Sequence, residues 1–185
     1  MDEKDKEKIQ QAVTMILEAI GEDPKREGLI DTPKRVANMF EELTAGYCDD
    51  EKAHLAKTFD VRSTDWVIEK NISFSSTCEH HLMPFFGKIA IAYLPSNKVV
   101  GLSKLARTVE VFARRLQLQE RLTNDVADAV MDNLKANAVI VLCEAEHTCM
   151  TARGIRKIGS KTATFAKRGE VAKEDIDTVI RLMTV

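Results

Sequence analysis

The chain has 185 residues, 44% hydrophobic and 30% charged, with a formal net charge of −2. That length fits one domain of ordinary size, about 100–200 residues, and the near-neutral balance gives no electrostatic reason to expect nucleic acid or a membrane surface as partner. No run approaches the roughly 18 apolar residues that span a bilayer, and residues 1–8, charged with both signs, do not read as a secretory signal, so a cytoplasmic protein is expected.

Residues 6–21 carry Ile9, Val13, Ile16, Leu17 and Ile20 on one stripe, which predicts a helix. A turn follows at Gly21-Glu22-Asp23-Pro24. Thr32 suits an N-cap and Pro33 a first helical position, and Val36, Met39, Phe40 and Leu43 give that second helix an apolar face. The N-terminal helical region is expected to cover residues 1–62, and a second region residues 63–185. His54, on a charged helical stretch, reads as solvated. Near Asp65 the pattern changes. Residues 66–75 and 86–94 read as strands, the second with large apolar residues at alternate positions. Residues 103–116 and 120–136 return to helical spacing. Residues 138–144 form an almost continuous apolar run, a strand buried on both faces, and 155–166 read as a further strand. A last helix carries Ile176, Val179, Ile180 and Met183, with Glu174 and Asp175 in its first turn. The order predicts an α+β fold with a mostly antiparallel sheet backed by helices.

Chemistry concentrates in two packets. In Ser76-Thr77-Cys78-Glu79-His80-His81, Cys78 and His81 are three residues apart, so a tight bend can aim a thiolate and an imidazole at one point. His147-Thr148-Cys149, after the apolar strand, offers a third ligand. Three protein ligands leave one position of a tetrahedral zinc open, which is the catalytic arrangement. His80 and His147 can titrate near neutral pH and pass protons. In extended backbone His147 and Cys149 would point to the same side. Glu79 reads as a solvated loop charge or an acceptor for a ligand imidazole. Cys48 and Cys143 read as a helix-end thiol and a small buried hydrophobe.

A third packet, Gly101-Leu102-Ser103-Lys104-Leu105-Ala106-Arg107, opens a helix. Ser103, Lys104 and Arg107 can crowd one edge beside free backbone N–H groups, which suits a phosphate or merely an N-cap serine with solvated charges. Arg153 follows Cys149 closely and is a candidate anion contact. Glu120 opens the next helix, where it stabilises the helix dipole and could equally accept from a purine ring N–H and amino group.

Taken together these packets resemble the GTP cyclohydrolase I family. The likeness rests on Ser76-Thr77-Cys78-Glu79-His80-His81, on Gly101-Leu102-Ser103-Lys104 with Arg107, and on Gln119-Glu120-Arg121-Leu122-Thr123. His147-Thr148-Cys149-Met150-Thr151-Ala152-Arg153-Gly154 completes it, and Thr32-Pro33-Lys34-Arg35-Val36 fits the N-terminal helix motif. The resemblance implies the tunnelling fold, an N-terminal helical hairpin followed by an antiparallel sheet with helices on one face. It implies a homo-oligomer, a decamer of two stacked pentamers with active sites at subunit interfaces. It further implies conversion of GTP and water to 7,8-dihydroneopterin triphosphate and formate, the entry to folate or tetrahydrobiopterin synthesis. Cys78, His81 and Cys149 would hold zinc (Zn2+). His147 would protonate the imidazole-ring nitrogen of the guanine, with His80 assisting. Glu120 would anchor the guanine edge, with Gln119 close to the ring. Ser103, Lys104, Arg107 and Arg153 would face ribose and triphosphate, and Arg35 would reach the triphosphate from a neighbouring subunit. Two other readings compete. One is a tunnelling-fold enzyme acting on pterins or deazapurines, against which the Cys/His/Cys set and Gly-Leu-Ser-Lys argue. The other is a zinc-stabilised purine- or pterin-binding module without turnover, its metal site closed by His80 or His147.

Overall fold

The N-terminal helices form because their ends are well specified. In a computed structural model, which describes residues 1–62 and 65–184, α1 runs Glu3–Ala19 and α2 runs Thr32–Leu43. The Asp2 carboxylate accepts from the Asp5 N–H at 2.8 Å, so α1 starts before residue 6. It stops at Gly21 (φ 86°), whose N–H donates to Glu18, while Glu22 N–H donates to Leu17. That paired closure needs a left-handed residue, which glycine supplies without strain. Thr32 is not the N-cap of α2. Asp31 already has helical angles and its carboxylate pairs with Arg35 at 3.3 Å, placing Thr32 inside the first turn beside Pro33. Lys6 joins Glu41 at 2.7 Å across the hairpin. Of the two helices only Ala37 is buried, and Met15, Ile16, Ile20 and Met39 stay exposed.

These helices belong to one unit, Met1–Ala45, and the rest of the described chain to a second, Gly46–Val185. The expected boundary at 62/63 touches Ser63 and Thr64, which lie outside the described residues. Two short elements that the sequence placed with the N-terminal region, α3 (Glu51–Leu55) and β1 (Thr58–Asp60), sit in the second unit. Leu55 of α3 is fully buried in its core, and β1 pairs antiparallel with β4 (Lys98–Val100).

The second unit is built on a five-stranded sheet. Its strands are β2 (Val67–Cys78), β3 (Pro84–Leu94), β5 (Leu116–Gln117), β6 (Ala138–His147) and β7 (Thr162–Gly169), ordered β5-β2-β3-β6-β7. All neighbours are antiparallel except β5, which lies parallel to the last residues of β2, with Thr77 opposite Leu116 and Cys78 opposite Gln117. Period-two alternation sorts the faces. Ile89, Ile91, Tyr93, Val139, Val141 and Cys143 meet α4 (Leu102–Ala113) and α5 (Gln119–Leu134) through Leu105, Val109, Leu122, Val126 and Val130. Each such buried aliphatic side chain contributes about 1.5–3 kcal/mol. The α+β prediction is thus borne out, with α4 and α5 on one face. The opposite face carries Ala90, Ala92 and Ile140, and the last helix, α7 (Lys173–Thr184), covers these with Val179 and Met183.

Strand limits differ from the sequence reading in all four cases: β2 runs on to Cys78 rather than 75, and β3 begins at Pro84 rather than 86. β6 runs on to His147, since its edge groups stay paired with β3 as far as Phe85. β7 begins at Thr162 rather than 155. Residues 153–160 instead form consecutive turns, with Gly154, Arg156 and Gly159 at positive φ and Lys157 N–H returned to Met150. No helix among the described residues is long and apolar enough to cross a membrane.

Candidate metal centre and active site

The site assembles where three strand ends meet. β2 ends at Cys78, and the chain reverses through Glu79–Leu82 before β3. Cys78 C=O accepts from Leu82 N–H at 2.9 Å, Cys78 N–H donates to Met83 at 2.8 Å, and Leu82 takes φ 54° to close the bend. This turn brings His81 Nδ1 to 4.0 Å from Cys78 Sγ. On the other side of β3, β6 ends at His147 and the chain enters α6 (Thr148–Thr151). The Thr148 hydroxyl donates to Pro84 C=O at 2.5 Å, fastening that turn over the start of β3. Cys149 is thereby delivered to the first packet. The ligand atoms of Cys78, His81 and Cys149 all lie within 4.8 Å of one another.

This geometry fits a metal. Zinc bonds of about 2.0–2.3 Å to nitrogen and sulfur in tetrahedral geometry separate ligand atoms by roughly 3.5–3.8 Å. Two soft sulfurs and an imidazole are the donor set zinc prefers. Burial and the neighbouring Cys78 sulfur push the Cys149 thiol up, partly opposed by the Arg153 charge. A metal cation held by this group would favour the thiolate form of Cys149 and offset that penalty. Beside Cys78 the hydroxyls of Ser76 and Thr77 are buried without a hydrogen-bond partner among the described residues.

His147 does not share a side with Cys149 in the way extended backbone would require. The chain turns into α6 between them, so the sulfur joins the Cys–His–Cys group while the imidazole remains over the sheet. There it stacks on Phe85, its direct cross-strand neighbour, at 4.6 Å and 5°. Its Nε2 lies 2.7 Å from Gln119 Oε1. Burial lowers the affinity of His147 for a proton, and the Glu120 charge partly restores it. Glu120 is therefore close enough to act on the ring electrostatically, and it is exposed at the start of α5. His80 is exposed, its ring 6.2 Å from that of His81.

Other candidates take varied positions. Ser103 is not an N-cap: Gly101 holds that place, and Ser103, Lys104 and Arg107 lie in the opening turns of α4. Ser103 and Arg107 are exposed, and the Arg107 charge helps hold the Asp49 carboxyl below its usual range, after the larger effect of the His54 hydrogen bond. His54 is thus paired with Asp49 at 3.0 Å rather than merely solvated. Arg153 is exposed on the turn after α6, and Arg35 is exposed on α2. A cleft of about 740 Å³ lies elsewhere, lined by Glu51, Lys52, Asp125, Asp128, Asp132 and Lys135 among others. Its acidic walls are unsuited to a triphosphate, so volume alone is no guide to the chemistry here.

Sequence reasoning missed two contacts around the centre. Glu79 is neither free nor bonded to a ligand imidazole; Arg121 donates to its two oxygens at 2.7 and 3.1 Å, lowering its pKa. Phe85, one residue ahead of the expected strand and given no role by sequence reasoning, is the platform for His147. Strand register would have placed Phe85 opposite His147, but register depends on pairing that one sequence does not reveal.

The sequence profile of GTP cyclohydrolase I matches residues 9–184. The chain belongs to the GTP cyclohydrolase I family. Among relatives named GTP cyclohydrolase 1, that of Clostridium kluyveri is 60% identical over 165 residues, covering 89% of each chain. The Clostridium perfringens protein is 56% identical, covering 92% of each. The Halalkalibacterium halodurans protein is 58% identical over 94% of this chain and 93% of its own. A crystal structure of the archaeosine synthase QueF-Like in the apo form aligns with a TM-score of 0.50 at 20% identity, covering 60% of this chain and 100% of that one, which supports a common fold only. Membership carries the tunnelling-fold assignment, with which the mixed helix-and-sheet architecture agrees.

Proposed function

We propose that this family member hydrolyses GTP to 7,8-dihydroneopterin triphosphate and formate with zinc bound by Cys78, His81 and Cys149. The gathering of those three ligands beside His147 is the observation that carries the reading. Zinc held by these residues would supply Lewis acidity and make water a stronger nucleophile near neutral pH. His147 donates a proton to the imidazole-ring nitrogen of guanine, and His80 assists proton movement. Glu120 accepts from the guanine ring N–H and amino group in a paired hydrogen bond. Ser103, Lys104, Arg107 and Arg153 bind ribose and triphosphate, and Arg35 joins them from a neighbouring subunit. Because the whole chain carries a net charge of −2, the cations that meet this polyanion have to be concentrated locally.

The proposal includes a homodecamer of two stacked pentamers. It is supported by two sheet edges that no strand covers among the described residues: the outer side of β7, and β2 ahead of Thr77. Unpaired edges at opposite ends of one sheet suit head-to-tail pairing, which closes into a ring.

The test is turnover. Purified protein with GTP should release formate and dihydroneopterin triphosphate, lose activity with a chelator and regain it with zinc. A folded, zinc-loaded protein that makes no product would sink the reading in favour of a binding module.

A further inference from the structure

Gln119 is nearly inaccessible, at 1% exposure, although it opens a helix beside the site. Its amide is held by partners that leave one orientation. Nε2 lies 3.2 Å from the Cys143 carbonyl oxygen, 2.9 Å from the Thr162 carbonyl oxygen and 3.1 Å from Thr164 Oγ1. Carbonyl oxygens only accept, so the NH2 end must face them; a reversed amide would press oxygen against oxygen. The neighbouring hydroxyls agree. Thr123 Oγ1 donates to the Gln119 backbone carbonyl at 2.7 Å, so at the 2.6 Å contact between Thr123 and Thr164 the Thr164 hydroxyl is the donor. Thr164 Oγ1 then keeps lone pairs free to accept from Gln119. One proton order satisfies the whole network.

The other end of the same amide, Oε1, lies 2.7 Å from His147 Nε2. An amide oxygen cannot donate, so Nε2 must carry hydrogen. The Phe85 stack holds the ring plane, and Nδ1 has no hydrogen-bond partner among the described residues. We infer that Gln119 is a positioning residue that commits His147 to exchanging its proton at Nδ1, and that it does not contact the guanine ring. This rests on the proposed role of His147 as proton donor. In that step the Nδ1–H bond of the imidazolium breaks and an N–H bond forms at the imidazole-ring nitrogen of the purine. After the step Nε2 still carries its hydrogen, and Nδ1 is the nitrogen that regains a proton by exchange with solvent. Gln119 accepts from Nε2–H in both states, so the lock holds through the cycle.

Neutron diffraction from perdeuterated, zinc-loaded enzyme reads this directly. Deuterium is expected on His147 Nε2 and on the Gln119 nitrogen facing Cys143 and Thr162. A bare Nε2, or a reversed amide, overturns the inference, and this arm needs neither a variant nor turnover. Kinetics supply the second arm. Gln119→Met should lower kcat by about tenfold or more, a part of the 10²–10⁴ that a general acid supplies, with KM for GTP within about twofold. A raised KM with kcat intact would make Gln119 a substrate contact and overturn the inference. Thr164→Val, which removes one holder of the amide without touching His147, should show the same kcat-selective loss in weaker form. If the unaltered enzyme fails to turn over GTP, the proposed reaction fails, while the neutron map still decides the tautomer.

Discussion

Cys143 and Cys48 show how far one side-chain type can diverge within a chain. Cys143 is fully buried in β6, and burial pushes its thiol up to about 12, partly offset by the neighbouring Thr123 and Thr164 hydroxyls. Cys48 is exposed. At pH 8 a thiol with that pKa is about 10⁻⁴ thiolate, and the thiolate is the nucleophile. Brief alkylation of the folded protein should modify Cys48 and spare Cys143 until denaturant is added; comparable labelling of both would mean that β6 opens readily. His147 invites a different test. It stacks on Phe85 and bonds Gln119, outside the Cys–His–Cys group, so His147→Ala should keep one equivalent of metal while kcat falls about 10²–10⁴-fold. Metal lost along with the imidazole would instead make it a ligand. Cys78, His81 and Cys149 were legible because their residue types and spacing are themselves the chemistry. The Gln119 network was not. Its partners Cys143, Thr162 and Thr164 lie 24, 43 and 45 residues away, and only the folded sheet makes them neighbours.

Among the elements, α4 and α5 were legible because several turns of apolar spacing leave little ambiguity. β5 and α6 were not, since two and four residues are too few to show any period. β7 was misplaced at its start for a related reason: Ile155 and Ile158 read as strand residues but are exposed, and the turns around Gly154 and Gly159 precede the ladder. Gly87 in β3 is a case where the element depends on a missing atom. A Cβ there would lie 1.9 Å from the Glu144 carbonyl oxygen and 2.6 Å from Ala145 Cα, both backbone of β6. Neither can swing away, so Gly87→Ala must part the two central strands. The expected cost is about 2–4 kcal/mol, read as a lower urea midpoint. An unchanged midpoint would mean that β3 and β6 do not approach as described.

For the whole molecule, the uncovered edges of β2 and β7 predict association. Light scattering on the eluting protein should give a mass about ten times the 20.7 kDa of one chain. A monomer at micromolar concentration would remove the ring and, with it, the supply of Arg35 from a neighbouring subunit. Lengths and period could announce a sheet with helices, but not which edges it leaves open, because strand order is a property of pairing.

The helical hairpin has a consequence for synthesis. α1 and α2 precede the sheet in the chain, so a ribosome completes them first. Yet Met15, Ile16, Ile20 and Ile30 are exposed there and Ala37 alone is buried in the two helices, an apolar surface the hairpin cannot cover from its own 45 residues. A segment that small has little core of its own to stabilise it. A nascent chain stalled after the hairpin is therefore expected to stay incompletely folded and to bind chaperones.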